Sequence, residues 1–137
     1  MKFLALAALV AVASGAACTD AEVAEDPPKC TVTTAAVEAD ADNNVAMGAS
    51  ALTSDTLGSK TTAIGTGTLA TQNFTTATNT FNTAVGAVAG QNLTTGTRNT
   101  LIGALAGAAL TDADYNIALG YVSLNADTLG SRSTALG

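Results

Sequence analysis

The sequence predicts an all-β chain, a parallel β-solenoid of 17-residue coils, and three observations lead there. A glycine recurs at Gly48, Gly65, Gly86, Gly103, Gly120 and Gly137, at spacings of 17, 21, 17, 17 and 17 residues. Self-similarity at a fixed period marks a stacked repeat. Ahead of each glycine stand NVAM, TTAI, NTAV, NTLI, NIAL and STAL, whose last residue is always aliphatic: Met47, Ile64, Val85, Ile102, Leu119 and Leu136. Composition is the third observation. Aromatic residues are 4% of the 137 and Trp is absent, while the 47% hydrophobic content is led by Ala. Such a chain cannot fill a thick globular core; it suits a thin one in which backbones approach closely.

In chain order, residues 1–17 read as a secretory signal peptide. Lys2 gives a positive start, Phe3 to Ala13 an apolar run, and Ser14 to Ala17 a small-residue cleavage region. The run falls short of the roughly 20 apolar residues that a spanning helix needs. The expected location is therefore extracellular or the cell surface. Cys18 and Cys30 are the only cysteines. In an oxidising compartment two readings stay open, a Cys18–Cys30 disulfide and acylation of Cys18 directly after the cut. Gly15 stands where a lipobox usually carries Leu, and a two-Cys metal site lacks further ligands.

Residues 18–43 form an acidic, Pro-containing linker. Seven acids (Asp20, Glu22, Glu25, Asp26, Glu38, Asp40, Asp42) accompany one Lys29 and the pair Pro27-Pro28, a composition that stays extended rather than burying a core. Asp40-Ala-Asp42-Ala-Asn44 is similar to the opening of a calcium loop. However, Val45 stands where an EF-hand needs Gly and Ala51 where it needs the bidentate Glu. No metal is expected.

Residues 44–137 are the repeat, six copies with the last truncated. Gly137 ends mid-repeat, and an open solenoid edge calls for a cap, so the chain reads as a fragment of a longer array. In the single long interval, Ala77 to Phe81 reads as a four-residue loop insertion. Ten to twelve residues after the glycine come turn tripeptides, Gly58-Ser-Lys60, Gly96-Thr-Arg98 and Gly130-Ser-Arg132. Glycine there is free to take positive φ and the basic tip meets solvent. Every Lys or Arg of the repeat falls at this one position, with Ala77 and Tyr115 standing in for it in the other turns. A helical repeat is excluded by the density of Gly and Thr. Two short strands and two turns fill 17 residues, and at about 4.8 Å per coil five coils make a rod about 25 Å long.

Side chains alternate along a strand. One face carries Asn82, Ala84 and Gly86, or Asn99, Leu101 and Gly103; the other carries Thr83, Val85 and Ala87, or Ile117, Leu119 and Tyr121. The small first face admits a neighbouring backbone. With both faces substantially apolar, one lines the coil and the second needs a partner, so a homo-oligomer is expected.

Several chemistries are set aside. The chain has no His, which removes the commonest general base and metal ligand. Ser and Cys nucleophiles lack a base, no paired carboxylates recur, and neither an enzyme nor a cofactor is expected. The net charge of −6 argues against nucleic acid. Gly58-Ser-Lys60-Thr61 lacks the glycines of a P-loop. Gly86-x-x-x-Gly90 and Gly103-x-x-x-Gly107 sit among Asn and Thr, and so read as tight coil packing rather than a membrane dimer motif. Asn73-Phe-Thr75 and Asn92-Leu-Thr94 are glycosylation sequons, meaningful only in a eukaryotic secretory pathway.

Asn82-Thr-Ala-Val-Gly86, Asn92-Leu-Thr-Thr-Gly96 and Asn99-Thr-Leu-Ile-Gly103 resemble the head repeats of YadA-like trimeric autotransporter adhesins, and similar arrays occur in phage tail-fibre proteins. The resemblance spans residues 44–137, about two-thirds of the chain. It implies a left-handed parallel β-roll, a homotrimer, and attachment to a host-cell or matrix surface. The repeat here is longer than that family's shortest, and no neck, heptad stalk or terminal membrane strands follow. Membrane contact is expected only through a Cys18 lipid or an anchor missing from this sequence. Adhesion or surface structure is thus the expected function. A Thr-ladder ice- or small-ligand-binding solenoid is the alternative, on the registers Thr56, Thr94, Thr111, Thr128 and Thr62, Thr83, Thr100, Thr134. A virion fibre segment is the other, disfavoured by the signal peptide.

Overall fold

Each tetrapeptide that ends ahead of a column glycine supplies a three-residue strand, and the strands stack in one direction. The computed structural model describes residues 43–137, which are all β and turn. The signal peptide, Cys18, Cys30 and all but the last residue of the acidic linker lie outside the described residues. In chain order the strands are β1 (Val45–Met47), β2 (Gly58–Ser59), β3 (Thr62–Ile64), β4 (Thr78–Asn79), β5 (Thr83–Val85), β6 (Thr100–Ile102), β7 (Ile117–Leu119) and β8 (Thr134–Leu136). Strands β1, β3, β5, β6, β7 and β8 form one parallel sheet in that order, while β2 and β4 form a two-stranded one. The register runs Ala46, Ala63, Ala84, Leu101, Ala118, Ala135 through the strand centres. This is a β-solenoid of about five coils with a 17-residue period.

The strand centre points into the coil. Ala63, Ala84, Leu101 and Ala118 are buried there, against Leu52, Leu69, Leu93 and Leu110 from beyond the glycine turn. The leucines obey a volume exchange. Four residues after the column glycine stand Leu52, Leu69, Gly90, Gly107 and Leu124; seven after it stand Asp55, Gln72, Leu93, Leu110 and Asp127. Wherever one position is Leu, the other is not. A Cβ on Gly90 would lie 2.7 Å from Leu101 Cδ1, and one on Gly107 would lie 2.8 Å from Leu101 Cδ2. Leu101, the one departure from Ala at a strand centre, therefore fills room that those two glycines leave, which is how a thin core keeps native density.

Buried asparagines tie successive coils together. Asn44, Asn82, Asn99 and Asn116 each accept the backbone N–H one coil on: at Thr61, Asn99, Asn116 and Ser133, each at 2.9 Å. Each also donates from Nδ2 to a carbonyl on the opposite wall: Gly58, Gly96, Ala113 and Gly130, at 2.7–2.8 Å. Both ends of the amide are used, so a polar column sits in the interior without an orphaned group. Where Thr61 replaces Asn, a local network takes over. Gln72 Nε2 donates to Thr61 Oγ1 at 3.0 Å and to Asp55 Oδ2 at 2.7 Å, while Gln72 Oε1 accepts from Asn82 Nδ2 at 2.9 Å.

The inserted residues lie differently from the sequence expectation. Asn73 bonds Thr56 at an offset of 17, Thr78 pairs with Gly58 at an offset of 20, and Thr83 pairs with Thr62 at an offset of 21. Three extra residues thus fall between Asn73 and Thr78 and one between Asn79 and Thr83. Thr78 and Asn79, inside the segment read as an insertion, instead form β4. They pair because a parallel neighbour, β2, offers carbonyls at Leu57 and Ser59, which accept from Thr78 and Thr80 N–H at 3.0 and 2.9 Å.

Candidate functional site

The turns that precede β3, β5, β6, β7 and β8 carry the fifth residue back from the glycine in a left-handed conformation, Lys60 (φ 62°), Phe81 (φ 52°), Arg98 (φ 57°), Tyr115 (φ 59°) and Arg132 (φ 59°), as Asn43 (φ 63°) does ahead of β1. Inter-coil bonds fix the stack. Arg98, Tyr115 and Arg132 N–H donate to the carbonyls of Thr80, Thr97 and Asp114 at 2.7, 3.0 and 2.9 Å. Lys60, Phe81, Arg98, Tyr115 and Arg132 are all exposed, unlike the left-handed Leu52 and Leu69, whose side chains are buried in the coil.

The five side chains alternate cation and ring. Lys60 Nζ lies 5.2 Å from the Phe81 ring centroid, and Arg98 lies 5.6 Å from the same ring on its next-coil side. Arg98 is also 5.2 Å from the Tyr115 ring, and Arg132 is 5.3 Å from it. All four distances fall within the range of cation–π attraction, worth about 0.5–1 kcal/mol each at exposed sites. Each ring is therefore flanked by two cations, and Arg98 by two rings. The position read as Ala77 in this turn is Phe81, which stands five residues before Gly86 as Lys60 stands five before Gly65.

Carboxylates are engaged elsewhere. Asp55 Oδ1 accepts from Gly58 N–H at 2.9 Å, Asp127 Oδ1 from Gly130 N–H at 2.8 Å, Asp112 Oδ1 from Thr95 Oγ1 at 2.6 Å, and Asp114 Oδ1 from Thr97 N–H at 2.6 Å. Among the described residues no ion pair links these acids to Lys60, Arg98 or Arg132. The column is thus a row of three cations, held by rings and not neutralised. No group of three or more His, Cys, Asp or Glu among the described residues could hold a metal ion.

A second surface is the outward face of the large sheet. Met47, Ile64, Val85, Ile102, Leu119 and Leu136 make an unbroken aliphatic column, beside Val45, Thr62, Thr83, Thr100, Ile117 and Thr134 two residues earlier. Met47 is 45% and Ile102 41% exposed, and Leu136 more so. The Thr56 register is committed to its own solenoid: Thr94 and Thr111 hydroxyls donate to the carbonyls of Thr111 and Thr128, and Thr56 to Asn73 Oδ1. Both sequon asparagines, Asn73 and Asn92, are exposed.

The column glycines serve the scaffold. Their φ values run from 111° to 132°, and a Cβ on Gly86 would meet the carbonyl carbon of Gly103 at 2.6 Å. Lys60, Arg98, Arg132 and Tyr115 were legible as one register; Phe81 was not, and Ala77 was read in its place. The available signal was the spacing of five residues to the next glycine, which selects Phe81 and Tyr115 directly. No family model, no curated protein and no solved structure matches this chain.

Proposed function

We propose that this chain is a secreted, surface-exposed attachment module, non-enzymatic, working as a homotrimeric rod that holds a cell or matrix surface. One observation carries the reading. The outward sheet face presents six aliphatic residues in a continuous uncharged column, several of them more than a third exposed. Soluble chains seldom leave such a contiguous apolar strip in water. A second copy of the same chain offers an identical column at the identical coil spacing, so register is matched along the whole rod. The likeness to trimeric adhesin heads supports three copies rather than two, and a closed ring removes every such face from solvent. What stays outside is a rod with repeated, equally spaced side chains, suited to multivalent attachment.

The test is sedimentation equilibrium of the full chain across a hundredfold concentration range, combined with binding to matrix-coated and cell-coated surfaces. A trimer mass with retained surface binding is expected. A monomer at the highest concentration that binds no surface overturns the reading.

A further inference from the structure

We propose that the column Lys60, Phe81, Arg98, Tyr115, Arg132 is a docking track for a linear acidic polysaccharide, whose sulfate or carboxylate groups meet the cations in turn along the rod. The inference rests on the attachment reading and names the class of ligand that the rod would hold.

Placement carries it first. All three cations of the described residues stand in one register, on exposed left-handed turn residues. Three acids in ion pairs would have made the row a stabilising feature only. Instead the four described carboxylates accept hydrogen bonds from backbone N–H and threonine hydroxyl groups. Among the described residues nothing neutralises the positive charge of the row.

The rings define how that charge is presented. Phe81 lies between Lys60 and Arg98, and Tyr115 between Arg98 and Arg132. With two cations each within 5.6 Å of its centroid, each ring spaces and orients the cations. Held this way, a guanidinium loses less freedom on binding and keeps outward N–H donors for the paired oxygens of a sulfate or carboxylate.

Spacing selects the partner. Cations recur every second coil, about 10 Å apart at the ordinary strand spacing. A compact anion would reach one exposed cation and gain little. A nucleic acid strand carries a phosphate about every 3.4 Å, so most of its charges would face none of these cations. A polysaccharide with an anionic group once per two sugars places its charges sparsely and in line, as the column does. Its own length then adds contacts coil by coil.

The experiment immobilises keratan sulfate (about one sulfate per two sugars), hyaluronate (one carboxylate per two sugars) and uncharged dextran, and measures binding of the full chain at low and rising salt. Binding to at least one anionic polymer and none to dextran is expected. The affinity should fall steadily as salt rises, because three exposed charges are screened within a Debye length of about 10 Å at 0.1 M. Arg98→Gln should weaken binding about tenfold, and the combined Lys60→Gln, Arg98→Gln, Arg132→Gln variant should abolish it. Phe81→Leu with Tyr115→Leu leaves the charge unchanged and should still weaken binding several-fold, which a merely diffuse charge effect would not produce. Circular dichroism checks that each variant keeps its β signal; the single Arg98→Gln variant serves if the triple one does not fold. Preference between the two polymers assigns sulfate or carboxylate. Folded charge variants that bind like the parent overturn the track, as does binding confined to anionic vesicles or an oligonucleotide. If the parent holds cells or matrix but neither polymer, the track falls and the attachment reading stands; if it holds none of them, both fall.

Discussion

At Gly86 the backbone takes φ 132°, and a Cβ there would lie 2.6 Å from the carbonyl carbon of Gly103 in the next coil. Dihedral and contact each exclude a side chain, and the same two conditions recur at Gly48, Gly65, Gly103 and Gly120. Gly67 is different: its φ is 66° and an added Cβ would meet only Val88 Cγ2, at 3.9 Å. Gly67→Ala should therefore cost about 1 kcal/mol, the ordinary left-handed penalty, whereas Gly86→Ala should cost at least about 3 kcal/mol through strain and clash together. Chemical denaturation of both variants measures the difference, and equal midpoints would refute the close-approach account. The cation–ring column can be weighed in the same way. Tyr115→Leu keeps the left-handed residue and the apolar body but removes the ring. Paired with Arg98→Gln in a double-mutant cycle it should show a coupling of about 0.5–1 kcal/mol. At this scale the sequence was half legible. A recurrent glycine signals a backbone requirement in any register, but that a ring five residues ahead of it meets cations shows only when the coils are stacked and Phe81 lies near both Lys60 and Arg98.

Strands of three residues cannot persist alone, and here each is fixed by what lies inside its coil. Leu101 shows how. It occupies a strand centre where the other copies have Ala, and its methyls reach the space over Gly90 and Gly107. Leu101→Ala removes a buried side chain from a site with no neighbour able to collapse into it, and should cost about 2–5 kcal/mol. Thermal denaturation followed by circular dichroism would register this as a large fall in Tm, and a near-neutral result would mean that the two-glycine gap is filled otherwise. The asparagine column supplies the second constraint. Removing the Asn99 side chain leaves Asn116 N–H and the Ala113 carbonyl without their partners, at about 1–3 kcal/mol for each buried group. Asn99→Ala should therefore cost as much as a core truncation, although the residue is polar. The alternation of small and aliphatic residues separated the two strand faces in advance, without saying which of them lines the coil. The exchange between Leu93 and Gly90, or Leu52 and Asp55, was not, because it compares residues three apart on opposite sides of a turn.

For the whole molecule, period was the decisive signal: one glycine register and one aliphatic register fix parallel stacking, coil length and the outward column together. Position of the insertion was harder, since a gap of four can be placed anywhere between Gly65 and Gly86 without altering either register. Backbone pairing of β2 with β4 decides it. The outward column then has a thermodynamic consequence. If copies of the chain cover Met47, Ile64, Val85, Ile102, Leu119 and Leu136 for one another, folding and association are linked, and Tm must rise with protein concentration by mass action. Ile102 stands in the middle of that column, 41% exposed in the single chain, and its side chain leaves the coil interior untouched. Ile102→Lys should thus flatten the dependence of Tm on concentration and lower the sedimenting mass, while the β signal persists at low temperature. The inward neighbour Leu101 is the control. Its truncation should lower Tm at every concentration without altering the slope. A parent chain whose Tm is independent of concentration over a hundredfold range would mean that the aliphatic strip is tolerated in water or covered by a different molecule, and that the solenoid is stabilised by its asparagine and leucine columns alone.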